Sequence, residues 1–453
     1  MLPELIEILP LEQSVHAEVT VPGSKSITNR ALILAALAEG EVTLKGALWS
    51  EDTEAMFACL QKLGFEISQA EDPAERCNRT ITVKGRGGNI PNGGTPEQPL
   101  ELFVANAGTA ARFLAAFVCL GRGTYRLSGV PRMHERPQAA LFQALRELGY
   151  RVECENGNDK LPARIHGEGP KSGHCRVSVA ESSQFASALL LSARTGGWRV
   201  EREGENAEES PYVVMTERLV EAFPWHGGTL QIEPDASSGS YFWAAGWLMF
   251  LLGSPHPVRS HFHWRGLPVS VRDWPETGWQ IDADFPQFLP LPEHVSRAHQ
   301  LADSIMTAIV LAADAQAGQS HGLGQEHAST VFTDLGRLRV QECERVAALR
   351  TELTKCGARI IEQGDTLTIH PGELQGAEIE TYNDHRMAMC FAVLGLKVPG
   401  IRLKNPACVK KTFPNFFQKL AAAPAHGGLG AEIWEVRNGE RIRRLSGLDL
   451  FAD

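Results

Sequence analysis

Ser26–Leu44 reads SITNRALILAALAEGEVTL. An oxygen-bearing side chain opens it, an Ala- and Leu-rich stretch follows, and a glycine leads into a β-prone run. Such side chains cap a helix by accepting from its first N–H groups, and glycine stops one. The segment predicts a buried helix that turns into a strand. The same order of residue types returns at Asn106–Leu127, Ser182–Val200, Asp235–Gly253, Asp303–Gly318 and Asn383–Leu403. Each start is expected to be a polar cap. A second helix is predicted after most of these, most clearly over Glu51–Ile67, Arg136–Val152 and Gln341–Ile360, where apolar residues recur at i, i+3, i+4 and i+7. Ser210–Phe223 and Thr412–Ala423 are weaker versions. In the fourth unit the prolines of Gln280–His294 limit any helix to a short piece. The chain therefore reads as six α/β units with a spacing of roughly 70–75 residues, too long for the usual solenoid repeats. If the six helix starts converge, their N-termini favour anions.

Composition sets the outer limits. A chain of 453 residues suggests roughly two to four domains. Apolar residues at 43% and charged residues at 22% are globular values. The formal net charge of −10 argues against non-specific nucleic-acid binding, so an anionic ligand needs a local basic cluster. Nine scattered cysteines without a CxxC pair argue against a disulfide framework or a zinc site and fit a reducing compartment. The apolar run Tyr241–Gly253 is too short to span a bilayer, and the acidic N-terminus lacks the basic region of a signal peptide. A cytoplasmic protein is the expectation. Gly87–Gln98 reads as a surface loop, Glu201–Glu209 as an acidic linker, and Ala431–Asp453 as a tail beyond the sixth unit.

Cationic residues recur at these helix starts: Lys25, Arg30, Arg112, Arg136, Arg345, Arg386 and Lys411. A single such residue is ordinarily a solvated one. Their recurrence points to a multiply anionic ligand, because Arg offers two-point contact to carboxylates and phosphates and Lys a point charge. Asp52, Asp303 and Glu342 fall in the same class of positions. An acid beside cations stays ionised and can accept a proton; Asp303 could equally be no more than a helix cap. Ser182, Ser183 and Gln184 could donate to a phosphate or merely cap their helix.

Seven ordered motifs carry a family resemblance: PGSKSITNRALILAALA (Pro22–Ala38), NAGTAARFLAA (Asn106–Ala116), PRMHERP (Pro131–Pro137), SSQFASALL (Ser182–Leu190), DASSGSYF (Asp235–Phe242), NDHRMAM (Asn383–Met389) and KTFPNFF (Lys411–Phe417). Together they resemble the 3-phosphoshikimate 1-carboxyvinyltransferase (EPSP synthase) family over about Val21 to Leu420. The resemblance implies a two-domain inside-out α/β barrel of six βαβαββ-type repeats, three per domain, with the active site in the interdomain cleft. It implies residues 1–20 plus 241–430 as one domain, 21–240 as the other, and 431–453 as an extension without a counterpart. It implies transfer of the enolpyruvyl group of phosphoenolpyruvate to the 5-hydroxyl of shikimate 3-phosphate, with release of phosphate, on the route to chorismate and the aromatic amino acids. No metal or organic cofactor is expected, nor a nucleic-acid or membrane partner, and the expected state is a monomer.

Matched residue by residue, the resemblance places Lys25, Arg136 and Lys411 on the phosphoenolpyruvate phosphate and Arg345 and Arg386 on its carboxylate, with Gly108 and Gln184 nearby. It places Lys25, Ser26, Arg30, Ser182, Ser183 and Gln184 at the shikimate-phosphate site. By the same resemblance, Asp303 matches the group that binds the shikimate hydroxyls and takes the nucleophile's proton, Glu342 matches the group that moves the proton at the methylene carbon, and Lys25 is expected to join them as a catalytic group. The chain departs from the family pattern at Gln341, where a Lys is usual, at Glu209 in place of a Ser, and at Phe113 in place of a Pro. The related transferase acting on UDP-N-acetylglucosamine usually carries Lys-Asn at Lys25-Ser26 and a loop cysteine; PRMHERP has none. A non-catalytic anion-binding paralogue and a transferase for a different phosphorylated carbocycle compete with this reading. His261 and His263 lack a third metal ligand.

Overall fold

The computed structural model describes residues 2–204, 210–253, 264–316 and 329–452. Glu209, His261 and His263 lie outside the described residues. The chain divides into two compact units, a middle unit of Pro22–Glu233 and a terminal unit of Met1–Val21 with Pro234–Asp453. The fold is mixed α/β.

The middle unit holds α1 (Lys25–Leu37), α2 (Glu51–Lys62), α3 (Gly108–Phe117), α4 (Pro131–Glu135), α5 (Ala139–Glu147), α6 (Ser183–Gly196) and α7 (Ser210–Ala222). In α1, every residue from Ile27 onward is buried, and all of α3 is buried. Helices buried all round form the unit's core, and their Ala, Gly and Ser residues let α1, α3 and α6 touch pairwise. The second helices α2 and α5 bury one face only. Sheets cover this helical centre. Gly228–Gln231 pairs parallel with Glu39–Leu48, which pairs antiparallel with Asn78–Arg86, and that with Ile67–Glu71. Leu100–Phe103, Arg122–Ser128, Ala163–Glu168 and Arg151–Cys154 repeat the same order and sense. Register follows the alternation of side chains: Val42 faces Val83 and Leu44 faces Ile81, all buried. Gly173–Ser178 pairs parallel with Trp198–Glu203. Glu201–Glu203 are thus strand residues rather than linker, because the parallel ladder extends through them.

The terminal unit repeats the plan with α8 (Ala236–Gly253), α9 (Ile305–Ala312), α10 (Arg345–Lys355), α11 (His385–Gly395) and α12 (Phe416–Ala421). Here α8, α9 and α11 touch pairwise, and α9 and α11 are wholly buried. His294–Ser296, Thr330–Thr333, Thr366–His370 and Arg359–Gln363 form a sheet in the same parallel–antiparallel–antiparallel sense. Among the described residues no sheet closes on itself. Where the fourth unit carries its prolines, the second helix is a single 3-10 piece, Ile281–Phe288.

The tail is part of a sheet. Its strands Ile433–Arg437 and Glu440–Arg444 extend the edge of Leu5–Ile8, whose other edge pairs with Arg402–Lys404. Ile433, Val436, Leu445 and Leu450 are buried. The buried carboxylate of Glu7 accepts from Arg402 at 3.3 Å and Arg441 at 2.7 Å. That of Glu435 accepts from Arg443 at 2.8 Å and pairs with Arg437 at 2.6 Å.

Not every helix start is capped as its sequence suggests. Ser182 caps α6 and Asp384 caps α11 through first-turn N–H groups. The cap position of α3 is Ala107 rather than Asn106, and no side chain caps α1 or α3. The cap position of α9 is Ser304; Asp303 stands one residue outside the helix.

Candidate functional site

In the terminal unit the chain just before α9 carries Asp303 between two guanidinium groups. Arg297 Nη2 donates to its Oδ1 at 3.2 Å, and Arg386 Nη2 lies 3.1 Å from its Oδ2. Burial alone would push the Asp303 carboxyl up, but the charges of Arg386, Arg297 and Arg345 hold it well below the usual carboxylate range. On the other side of the same helix start, Asp282 accepts from the Ser304 N–H at 2.7 Å and the Ser237 hydroxyl at 2.8 Å. Burial, then the nearby Asp303 charge, push its carboxyl up. Two neighbouring carboxyls are thereby driven in opposite directions, an arrangement that separates proton-binding roles.

Helix α10 and the residues before it hold a second acid. Glu342 Oε2 accepts from Arg345 Nη2 at 2.8 Å, and its Oε1 lies 3.3 Å from Lys411 Nζ. Arg345 also donates from Nε to Asp384 Oδ2 at 2.7 Å, from Nη2 to Asp384 Oδ1 at 3.3 Å, and from Nη1 to Gln341. Burial works against the Arg345 charge, yet Asp384, Glu342 and Asp303 hold the group more firmly protonated than an ordinary arginine. Asp384 accepts from the Arg386 N–H at 2.8 Å as it caps α11. One cluster thus joins Asp303, Glu342, Arg345, Arg386 and Lys411 through named contacts, with Gln341 on its edge.

The middle unit gathers a second set. Arg112 donates to Gln184 Oε1 at 2.8 Å and to the Pro137 carbonyl at 3.0 Å, and Arg136 donates to the Asn106 carbonyl at 3.2 Å. Gly108 opens α3 beneath both. A Cβ there would lie 2.4 Å from Arg112 Nη1 and 2.8 Å from Arg136 Nη2, so only glycine leaves both guanidinium groups in place. Ser182 Oγ accepts from the Gln184 N–H at 3.2 Å, and Ser183 is buried beside it. Lys25 Nζ lies 3.3 Å from Asp52, whose side chain is buried. Arg30 stands apart from these. It donates to Thr216 Oγ1 at 2.8 Å, Ser187 Oγ at 3.1 Å and the Ser26 carbonyl at 2.8 Å, and lies over the Phe113 ring at 5.2 Å. Burial pushes its guanidinium down to about 10. Arg30 therefore ties α1, α3, α6 and α7 together behind Ser26.

Sequence reasoning missed three residues of the terminal cluster. Arg297 and Asp282 sit in segments without helical period or motif, so nothing local marks them. Asp384 lies inside NDHRM and could have been found as the partner that a buried arginine needs. Among the described residues no group of three or more His, Cys, Asp or Glu could hold a metal ion.

The family model described as EPSP synthase (3-phosphoshikimate 1-carboxyvinyltransferase) matches residues 11–227 and 291–420. The stretch it leaves out contains α8 and the 3-10 piece of the fourth unit. A 3-phosphoshikimate 1-carboxyvinyltransferase of Nostoc sp. is 36% identical over 444 residues, spanning 92% of this chain and 99% of that protein. One from Opitutus terrae is 36% identical over 457 residues, spanning 93% and 97%. Among solved structures, EPSP synthase from Acinetobacter baumannii aligns with a TM-score of 0.66 at 21% identity, covering 96% of this chain and all of that one. The enolpyruvyl transferase NikO from Streptomyces tendae aligns with a TM-score of 0.62 at 16% identity, covering 95% and 98%.

Proposed function

Since the chain belongs to the EPSP synthase (3-phosphoshikimate 1-carboxyvinyltransferase) family, we propose that it transfers the enolpyruvyl group of phosphoenolpyruvate to the 5-hydroxyl of shikimate 3-phosphate. The hydroxyl oxygen bonds to C2 of phosphoenolpyruvate, the methylene carbon gains a proton, and a tetrahedral intermediate results. Loss of a proton from the new methyl group and cleavage of the C2–O bond to phosphate complete the exchange.

One observation carries the reading: Asp303, partly buried, is clasped by Arg297 and Arg386, whose charges favour its ionised form. A carboxylate so held can orient a hydroxyl and receive its proton. We assign Arg386 and Arg345 to the phosphoenolpyruvate carboxylate and Lys25, Arg136 and Lys411 to its phosphate, with Gly108 and Gln184 shaping that contact. Lys25, Ser26, Ser182, Ser183 and Gln184 are assigned to the shikimate phosphate, with the charge of Arg30 behind Ser26. Asp303 then serves as base toward the hydroxyl, Lys25 as a catalytic cation and Glu342 as the acid toward carbon. An anion drawn to Arg345 and Lys411 competes with Glu342 for its two donors. That withdraws support from the Glu342 carboxylate and raises its proton affinity, which suits a group that must protonate carbon.

The repeated sheet order, three times in four-stranded form, and the two trios of touching helices support six βαβαββ-type units in an inside-out barrel. Nine free thiols support a reducing, cytoplasmic setting, and a monomer is the simplest assembly. The test is phosphate release on mixing the protein with both substrates. Release that requires both, and falls about 100-fold or more in Asp303→Asn, as loss of an acid–base group does, supports the reading. No release at millimolar substrate, or release from phosphoenolpyruvate alone, overturns it.

A further inference from the structure

Helix α10 carries Arg345 and Glu352 seven residues apart, two turns along one face. Arg345 grips Asp384 as described. Glu352 is wholly buried. Its Oε1 accepts from the Tyr382 hydroxyl at 2.7 Å, its Oε2 accepts from the Glu380 N–H at 3.1 Å, and Lys355 Nζ donates to both oxygens, at 2.9 and 2.7 Å. One helix face thus holds the segment Glu380–Asp384 at both ends. The segment needs holding. Tyr382 and Asn383 are both left-handed, with φ of 54° and 52°, a conformation that asparagine tolerates but that is unfavourable for tyrosine. Asn405 donates to Asn383 Oδ1 at 3.1 Å, and the Asp384 N–H donates to the Thr381 carbonyl at 2.8 Å. Directly after this turn Asp384 caps α11, and Arg386 reaches Asp303.

A buried carboxylate persists only where its acceptors are filled. Of the four bonds that fill those of Glu352, two come from the turn, through Tyr382 and Glu380, and two from Lys355, so none comes from Asp303 or Glu342. We propose that Glu352 is a positioning residue for the phosphoenolpyruvate carboxylate site. Through Tyr382 and Glu380 it fixes the two-residue left-handed turn, and the turn sets Asp384 and Arg386. The proposal rests on the assignment of Arg386 to that carboxylate.

The test is steady-state kinetics on the full chain with Glu352→Gln and Tyr382→Phe. Glutamine has one acceptor oxygen and can serve either the Tyr382 hydroxyl or the Glu380 N–H, but not both as glutamate does. Tyr382→Phe removes one bond and leaves the helix untouched, so it carries the test if Glu352→Gln fails to fold. The KM for phosphoenolpyruvate rises about tenfold in Glu352→Gln, the loss expected for one hydrogen bond to a charged group, and about threefold in Tyr382→Phe. The KM for shikimate 3-phosphate stays within about twofold, and Arg386→Ala abolishes the further effect of Glu352→Gln, as coupled residues require. Parallel rises in both KM values that track a lowered Tm would overturn the proposal, as would an undiminished Glu352→Gln effect on top of Arg386→Ala. If Arg386→Ala alone leaves the KM for phosphoenolpyruvate unchanged, the Arg386 assignment itself fails and the proposal with it.

Discussion

Asp303 shows how a single carboxyl can be prepared for work by what flanks it. Burial opposes its ionisation, and two adjacent guanidinium groups more than reverse that opposition. The same balance links the residue to stability. A carboxyl whose native pKa lies below its unfolded value of about 3.9 stabilises the fold above that pH. The contribution is lost as the pH falls from there through the depressed native value. Asp303→Asn, which leaves Arg297 and Arg386 facing one another without their anion, is expected to cost about 3–5 kcal/mol at neutral pH, the usual penalty for breaking a buried pair. Denaturant unfolding followed from pH 7 to pH 3 checks this: the gap to the unsubstituted protein narrows on the acid side. A gap constant across that range would contradict the account. Asp282 has the opposite sign, since its raised pKa opposes folding while it is ionised, and its hydrogen bonds to Ser304 and Ser237 offset that tendency.

Among the elements, what the chain announces locally was readable and what it borrows from afar was not. The helices α1, α3, α6, α8, α9 and α11 follow from Ala-rich stretches between polar starts and glycine stops. The cations at their starts followed as well, because each belongs to a short motif. Asp303 was legible as an acid but not as one outside its helix, since Asp303 and Ser304 compete for the cap and backbone geometry decides for Ser304. Arg297 owes its place to tertiary contact with no periodic signature. The tail was opaque for the same reason: its partner strand Leu5–Ile8 lies at the other end of the chain. Ending the chain after Gly430 strips that strand of one edge and removes Arg441 from Glu7. It also removes buried Ile433, Val436 and Leu450. The truncated protein is expected to lose cooperative unfolding of its terminal unit. The milder Leu450→Ala lowers stability by about 2–5 kcal/mol, readable as a shifted denaturant midpoint. An unchanged midpoint would mean the tail only decorates the sheet.

Over the whole molecule, the thiols report on packing. Seven of the nine are buried, and Cys154 and Cys343 are partly exposed. Burial pushes Cys59, Cys356, Cys390 and Cys408 up to about 12 and Cys175 to about 11, so none is a ready thiolate at neutral pH. The native protein is expected to titrate no more than two thiols with a disulfide reagent within minutes, and all nine once unfolded. Fast reaction of more than two in the native state, or fewer than nine after unfolding, would contradict this packing or reveal an oxidised pair.

The central place of Leu5–Ile8 in its sheet also sets a timetable during synthesis. Glu7 stands 395 positions from Arg402 and 434 from Arg441. At a ribosomal pace of roughly 5–20 residues per second, the strand waits about 20–80 s for its neighbours. During that interval the whole middle unit, Pro22–Glu233, is synthesised. Ile6 and Ile8, wholly buried in the finished protein, are meanwhile without the neighbouring strands that flank them in the sheet.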